Sequence, residues 1–266
     1  MQNLTDQQIE EFYKEGFLLV KNCFSDVEIA EMMTIVKKFN AKKPDDWKKG
    51  EEMAYYETSK INSDDRILMR VENFVNYHQI FNKVANSEKI LGVIEKLIGE
   101  PCVLFKDKIN CKKPGGGGFR PHQDKTTKWA RFSSIFTSAM ITLTESTIEN
   151  GCLEVVQDFH KRGWITEDPD SGLLSEQQIK EMNFIKIPTK AGDVIFFDSF
   201  TPHRSNNNNS KELRINVYLT YNKKNEGDHR SEYFLEKRQE FPPDNERTEG
   251  LQIKNSKVHE ATYSSS

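Results

Sequence analysis

The spacing of apolar residues changes at Gly99, and that change limits the folds open to this chain. Before it, "SEKILGVIEKLIG" sets Ile90, Leu91, Ile94, Leu97 and Ile98 at helical intervals, and Gly99 stops the helix. After it, "VLFKDKINCK" alternates. Val103, Phe105, Ile109 and Cys111 fall on one face; Leu104, Lys106, Lys108 and Asn110 fall on the other. Further strands are predicted in "SSIFTSAMITLT", "CLEVVQ", "FIKIPT", "DVIFFDS" and "LRINVYLTYN", with Gly, Asn and Pro in the gaps.

Upstream, "TDQQIEEFYKEG" opens a helix that Thr5 caps, Gln8 braces and Gly16 ends. In "SDVEIAEMMTIVKKF" Ser25 and Glu28 form a capping box, and Ile29, Met32, Val36 and Phe39 share one face. "FLLVKN" reads as a short strand, and "ILMRVENFV" as a strand or buried turn. Helices first and many short strands later predict an α+β chain, with helices packed against an antiparallel, double-sheet barrel. The early strands extend the later sheets, so one domain is expected over residues 1–266. It has a mainly helical part (1–100), a β core (101–225) and a C-terminal segment (226–266). Residues 40–65 form a long polar insertion that suits a lid, and 258–266 read as a loose tail.

Bulk properties exclude some classes. The net charge of −3 argues against general nucleic-acid binding, and no apolar run is long enough to span a membrane. The first residues lack a basic start followed by an apolar stretch, so no secretory signal is expected. Cys23, Cys102, Cys111 and Cys152 are widely spaced and read as reduced, buried thiols of a cytoplasmic protein, a monomer or homodimer acting on a small molecule.

The chemistry-bearing stretch is "FRPHQDKTTKWARF". Residues two apart in a strand point the same way, so His122 and Asp124 can aim an imidazole and a carboxylate at one point. His203 stands at the exit of the apolar strand in "GDVIFFDSFTPHRS" and supplies a second imidazole. Two histidines and a carboxylate on one face suit a non-haem Fe(II) oxygenase centre, and zinc with the same ligands is an alternative. Arg214 begins a strand on which Arg214, Asn216, Tyr218 and Thr220 share one face and Ile215, Val217 and Leu219 the other. An inward arginine is costly unless it meets an anion, and its planar fork suits a carboxylate.

Together, His122-x-Asp124, His203, Arg214, "NGCLEVV" and "GDVIFFDSFTPHRS" resemble the phytanoyl-CoA dioxygenase family of Fe(II)/2-oxoglutarate oxygenases, from about residue 8 to 245. The resemblance implies a double-stranded β-helix (jelly-roll, cupin-like) core with helices outside. It implies that His122, Asp124 and His203 bind Fe(II), that Arg214 binds the distal carboxylate of 2-oxoglutarate, and that O2 is consumed. Where the family commonly has Pro-Gly-Ser-His, this chain has Gln157-Asp158-Phe159-His160, which keeps the histidine and changes the turn.

For the substrate, Lys108 and Asn110 precede the metal strand on a polar face and are candidates for 2-oxoglutarate or an anionic group. Arg120, Lys125, Trp129 and Tyr218 are candidate substrate contacts, with Lys106, Lys128, Arg131 and Phe132 nearby. The glycine run 115–118 reads as a mobile lip or an anion cradle, and Asp228, His229 and Arg230 as the substrate mouth. Basic clustering in an acidic chain favours a small anion. Residues 221–244 resemble bacterial family members that oxidise 2-aminoethylphosphonate, so an organophosphonate such as that or methylphosphonate is expected. The alternatives are an acyl-CoA hydroxylase and a non-catalytic protein that binds metal and 2-oxoglutarate.

Overall fold

A computed structural model describes residues 4–247. Its strands run as β1 (Phe17–Val20), β2 (Met53–Thr58), β3 (Arg66–Glu72), β4 (Cys102–Lys112), β5 (Phe119–His122), β6 (Phe136–Thr142), β7 (Leu153–Val155), β8 (Ile185–Ile187), β9 (Val194–Asp198), β10 (His203–Ser205) and β11 (Arg214–Lys223). A seven-stranded sheet has the order β1-β9-β6-β11-β4-β3-β2, and a four-stranded sheet the order β5-β10-β7-β8. The pairings are antiparallel throughout, and the two sheets make a jelly roll. The expected α+β class and double-sheet core are therefore present, and the early strands do extend the large sheet. No helix among the described residues is long and apolar enough to cross a membrane.

The helices are α1 (Asp6–Glu15), α2 (Asp26–Ala41), α3 (Gln79–Ala85), α4 (Val93–Ile98), α5 (Thr127–Ala130), α6 (Glu176–Lys180) and α7 (Arg230–Glu240). Thr5 with Gln8 and Ser25 with Glu28 form the expected capping boxes, and Gly16 ends α1 in the left-handed region. The helix expected over 87–99 is α4 preceded by a π-helical turn, Glu88–Gly92.

The amphipathic faces of α1–α4 cover the outer face of the large sheet. Phe12, Met32, Val36, Phe39, Phe81 and Ile94 pack there against Ile109, Cys111, Ile215, Val217 and Leu219. Between the sheets lies a smaller core in which Met140, Ile195, Phe197 and Tyr218 face Leu153, Val155 and Ile187. The alternation of β11 thus divides as its sequence predicts.

Three expectations need correction. A β-bulge opposite Thr220/Tyr221 shifts the phase of β4, so Leu104 takes the outer-face place. Phe105 instead joins Trp129, Phe132 and Phe136. Residues 40–65 are not a free flap, because they carry β2, the edge strand. Its Tyr55 Oη donates to Phe241 O at 2.8 Å, and its Tyr56 N–H to Asp244 at 3.2 Å. The glycine run is neither lip nor cradle. Its residues are buried, with the Gly117 N–H donating to Glu57 and the Gly118 N–H to Asn207. The tail at 258–266 lies outside the described residues.

Candidate metal and co-substrate site

β5 and β10 are neighbours in the small sheet, with His122 and His203 directly opposite. Their rings approach to 4.2 Å between centroids. His122 Nδ1 lies 2.7 Å from the Arg120 carbonyl, and His203 Nδ1 lies 3.0 Å from the Thr201 carbonyl. A carbonyl only accepts, so each Nδ1 carries its proton and each Nε2 offers a lone pair. β5 ends at His122, so Asp124 follows the strand rather than continuing it, yet its Oδ1 comes within 3.9 Å of His122 Nε2. One ligand atom from each of His122, Asp124 and His203 lies within 4.8 Å of the others.

The electrostatics suit a divalent cation. Burial drives the His122 pKa down to about 3, with His203 adding to the effect, and burial lowers that of His203 as well. Both imidazoles are therefore neutral near pH 7. Burial alone would raise Asp124, but Lys106 and Lys108, joined by the histidines once these are protonated at low pH, outweigh it and hold the carboxyl well below its usual range. Two neutral nitrogens and an ionised oxygen on one side of a point are the donor set of a facial 2-His-1-carboxylate centre.

Arg214 opens β11 opposite Lys112 and is fully buried. Its Nη1 donates to the Gly151 carbonyl, while Nε and Nη2 have no hydrogen-bond partner. Burial lowers its pKa, and the Tyr218 phenol works against that. Two buried guanidinium donors without an acceptor call for an anion. Asn110, opposite Asn216, is buried with an unpartnered Oδ1 on the same sheet face. Tyr218 sits between, paired in register with Lys108, whose Nζ lies 4.6 Å from the phenol ring centroid.

A cavity of about 700 Å³ opens beside His122 and Asp124. Lys106, Lys108 and Trp129 line it, as do Phe132, Lys128 and Arg131. Six expected contacts do not, Tyr218 and Asp228 among them. The Arg120 side chain is not part of the wall, although its carbonyl orients His122. Lys125 turns away, donating to the Ser134 carbonyl. Arg230 is spent on an ion pair with the fully buried Asp107, and His229 contacts the Glu226 carbonyl. The altered turn at 157–160 docks on the end of α1, where Asp158 N–H donates to Glu15 O at 3.1 Å.

Sequence reasoning missed Arg70, Tyr233, Lys237 and Phe241, which also line the cavity. Helical spacing of Tyr233, Lys237, Glu240 and Phe241 marks one stripe of α7 and its end, a signal that was available. Glu72 lies behind the wall. Burial would raise its pKa, but Arg70 and Lys237 hold it down to about 2.

A family model described as phytanoyl-CoA dioxygenase (PhyH) matches residues 12–216. The chain is 33% identical to a 2-aminoethylphosphonate dioxygenase from the uncultured bacterium HF130_AEPn_1, over 94% of each sequence. It is 31% identical to a methylphosphonate hydroxylase of Gimesia maris, over 96% of this chain and 94% of the relative. Among solved structures, EctD from S. alaskensis with 2-oxoglutarate and 5-hydroxyectoine superposes with a TM-score of 0.68 at 21% identity, covering 83% of this chain and 76% of EctD. The epimerase SnoN, in complex with Fe3+, alpha ketoglutarate and nogalamycin RO, gives a TM-score of 0.66 at 19% identity, covering 82% and 83%. These two share the fold.

Proposed function

The chain belongs to the phytanoyl-CoA dioxygenase family, and on that premise we propose that it hydroxylates a small organophosphonate of the 2-aminoethylphosphonate or methylphosphonate type. It is an Fe(II)- and 2-oxoglutarate-dependent dioxygenase. In our reading His122, Asp124 and His203 hold the iron, and Arg214 the distal carboxylate of 2-oxoglutarate with Asn110 close by. When bound, iron and the keto acid use O2 to supply the oxidant for an unactivated C–H bond, releasing succinate and carbon dioxide.

The protein's own part is to place and shield these groups. The carbonyls of Arg120 and Thr201 fix the imidazoles in the ligating tautomer. Arg214 anchors the co-substrate from a buried position at the end of β11. Trp129 and Phe132 wall the cavity and exclude water, while Lys106 and Lys108 face the space beside Asp124.

The observation that carries the substrate class is the excess of cations on the cavity wall beside the triad, where six lysines and arginines face three carboxylates besides Asp124, in a chain of net charge −3. The chain-wide similarity to two phosphonate oxygenases agrees with it. An acyl-CoA channel would need continuous apolar walls, and here ammonium groups alternate with rings. Four free, buried cysteines support a reducing compartment such as the cytoplasm. The deciding experiment measures succinate release with iron, 2-oxoglutarate and O2, with and without each phosphonate, and follows the product by phosphorus NMR. Substrate-dependent succinate and a new phosphonate resonance are expected; no stimulation by either compound would exclude the assignment.

A further inference from the structure

We propose that Lys106 and Lys108 form a two-ammonium clamp for a doubly ionised oxyanion headgroup, so that charge state separates phosphonates from sulfonates and carboxylates. The clamp deepens the phosphonate reading above and rests on it.

The inference comes from pairing the charges of the cavity wall. Arg70 lies 2.9 Å from Glu72, and Lys237 takes the other oxygen of the same carboxylate. Lys128 lies 2.5 Å from Glu240, and Arg131 pairs with Glu236. Lys106 and Lys108 differ: among the described residues neither makes a hydrogen bond or ion pair with a carboxylate. Burial lowers the Lys106 pKa well below that of a free lysine, with Lys108 and Lys237 adding to the effect, while Asp124 and Glu72 oppose it; in the functional reading Asp124 is committed to iron, so an incoming anion is what keeps this amine charged.

Both ammonium groups rest on rings instead. Lys106 Nζ lies 3.9 Å from the Trp129 ring centroid, and Lys108 Nζ lies 4.6 Å from that of Tyr218. A ring face holds a cation in place without neutralising it. The two residues are i and i+2 on β4, opposite Thr220 and Tyr218, so they project to the same side. Lys106 is only 9% exposed. A monoanion between them can hold a proton on only one of the two desolvated amines; a dianion holds both as ammonium groups. A phosphonate completes its second ionisation near neutral pH, whereas a sulfonate or carboxylate stops at one charge.

The test compares 2-aminoethylphosphonate with its sulfonate isostere taurine, using iron-loaded enzyme and succinate release. Wild type is expected to favour the phosphonate at least a hundredfold in kcat/KM. Lys106→Met and Lys108→Met are each expected to raise the phosphonate KM at least tenfold, with a smaller change in kcat, and to bring the ratio below ten. Lys108→Arg restores much of it. A second measurement needs no variant: in wild type the phosphonate KM rises as pH falls through its second ionisation, and the sulfonate KM does not. Comparable use of taurine by wild type, an unchanged ratio in folded variants, or a pH-independent phosphonate KM each overturns the clamp. If phosphonates are turned over and the ratio survives, the clamp alone falls. If wild type turns over neither 2-aminoethylphosphonate nor methylphosphonate, the functional reading falls with it.

Discussion

Arg214 shows how a single side chain can be costly to the empty protein and essential to the loaded one. Its guanidinium is fully buried with two unpartnered donors. Replacing it with Met should leave the melting temperature of the ligand-free protein unchanged or higher, because an uncompensated buried charge is removed. In wild type a saturating carboxylate ligand stabilises the fold, by about 2.7 kcal/mol at a hundred times its Kd. Arg214→Met should lose that shift when 2-oxoglutarate is added, and its 2-oxoglutarate KM should rise by orders of magnitude, since breaking a buried charged pair costs roughly 3–5 kcal/mol. Thermal melts with and without 2-oxoglutarate check both. His122→Ala and Asp124→Ala should abolish succinate release and keep a native circular dichroism spectrum. At this scale the site was legible where the residue type had few alternatives. An arginine on the polar face of a strand, with apolar residues on the other, declared its orientation. Lys125 did not, because closeness in sequence to His122 says nothing about direction once the strand ends, and Arg120 did not because the register of β5 slips between Phe119 and His122.

Elements were legible where their period was sustained. α1, α2, β4 and β11 follow their spacing, and the capping boxes fixed two helix starts. β2 was not read because its burial comes from packing against α7 and the 243–247 turn, contacts nearly two hundred residues distant. The bulge opposite Thr220 was invisible for a similar reason: it is a property of a pair of strands, not of one. α7 owes its position to charge. Arg230 meets the fully buried Asp107, which also accepts the Phe74 N–H at 2.7 Å, while Arg131–Glu236 is half exposed. Arg230→Met should therefore lower stability by roughly 3–5 kcal/mol, and Arg131→Met by less than about 1 kcal/mol, in urea titrations. Gly151 offers a second element-scale test. It has φ +76°, and an added Cβ would stand 2.1 Å from the Asn206 carbonyl. Gly151→Ala should displace the carbonyl that holds Arg214, raising the 2-oxoglutarate KM along with lowering the melting temperature.

For the molecule as a whole, pH and salt act through different groups. Burial raises the Glu57 carboxyl to about 7, against the opposing Gly117 N–H and Lys112, and raises Asp198 to about 6. A raised folded-state value favours the protonated form on folding. That stabilisation is complete below the unfolded value near 4.5 for Glu57 and disappears as pH climbs to about 7. Glu57→Gln should therefore flatten the fall in stability between about pH 5 and pH 8, by up to roughly 3 kcal/mol, in denaturant titrations. Salt should act on substrate capture: with cations at the cavity in a chain of net charge −3, the phosphonate KM should rise with ionic strength while the 2-oxoglutarate KM, set by a buried partner, moves less.

The two histidines are locked into position by the main-chain carbonyls two residues before each of them, before any ion arrives. A trap built in advance cannot choose its occupant by reshaping itself, and copper, nickel or zinc will out-compete ferrous ion for such nitrogens. Selection must then lie in what the cell makes available, and enzyme recovered from a nickel resin should come off inactive until it has been stripped with a chelator and reloaded under an oxygen-free atmosphere.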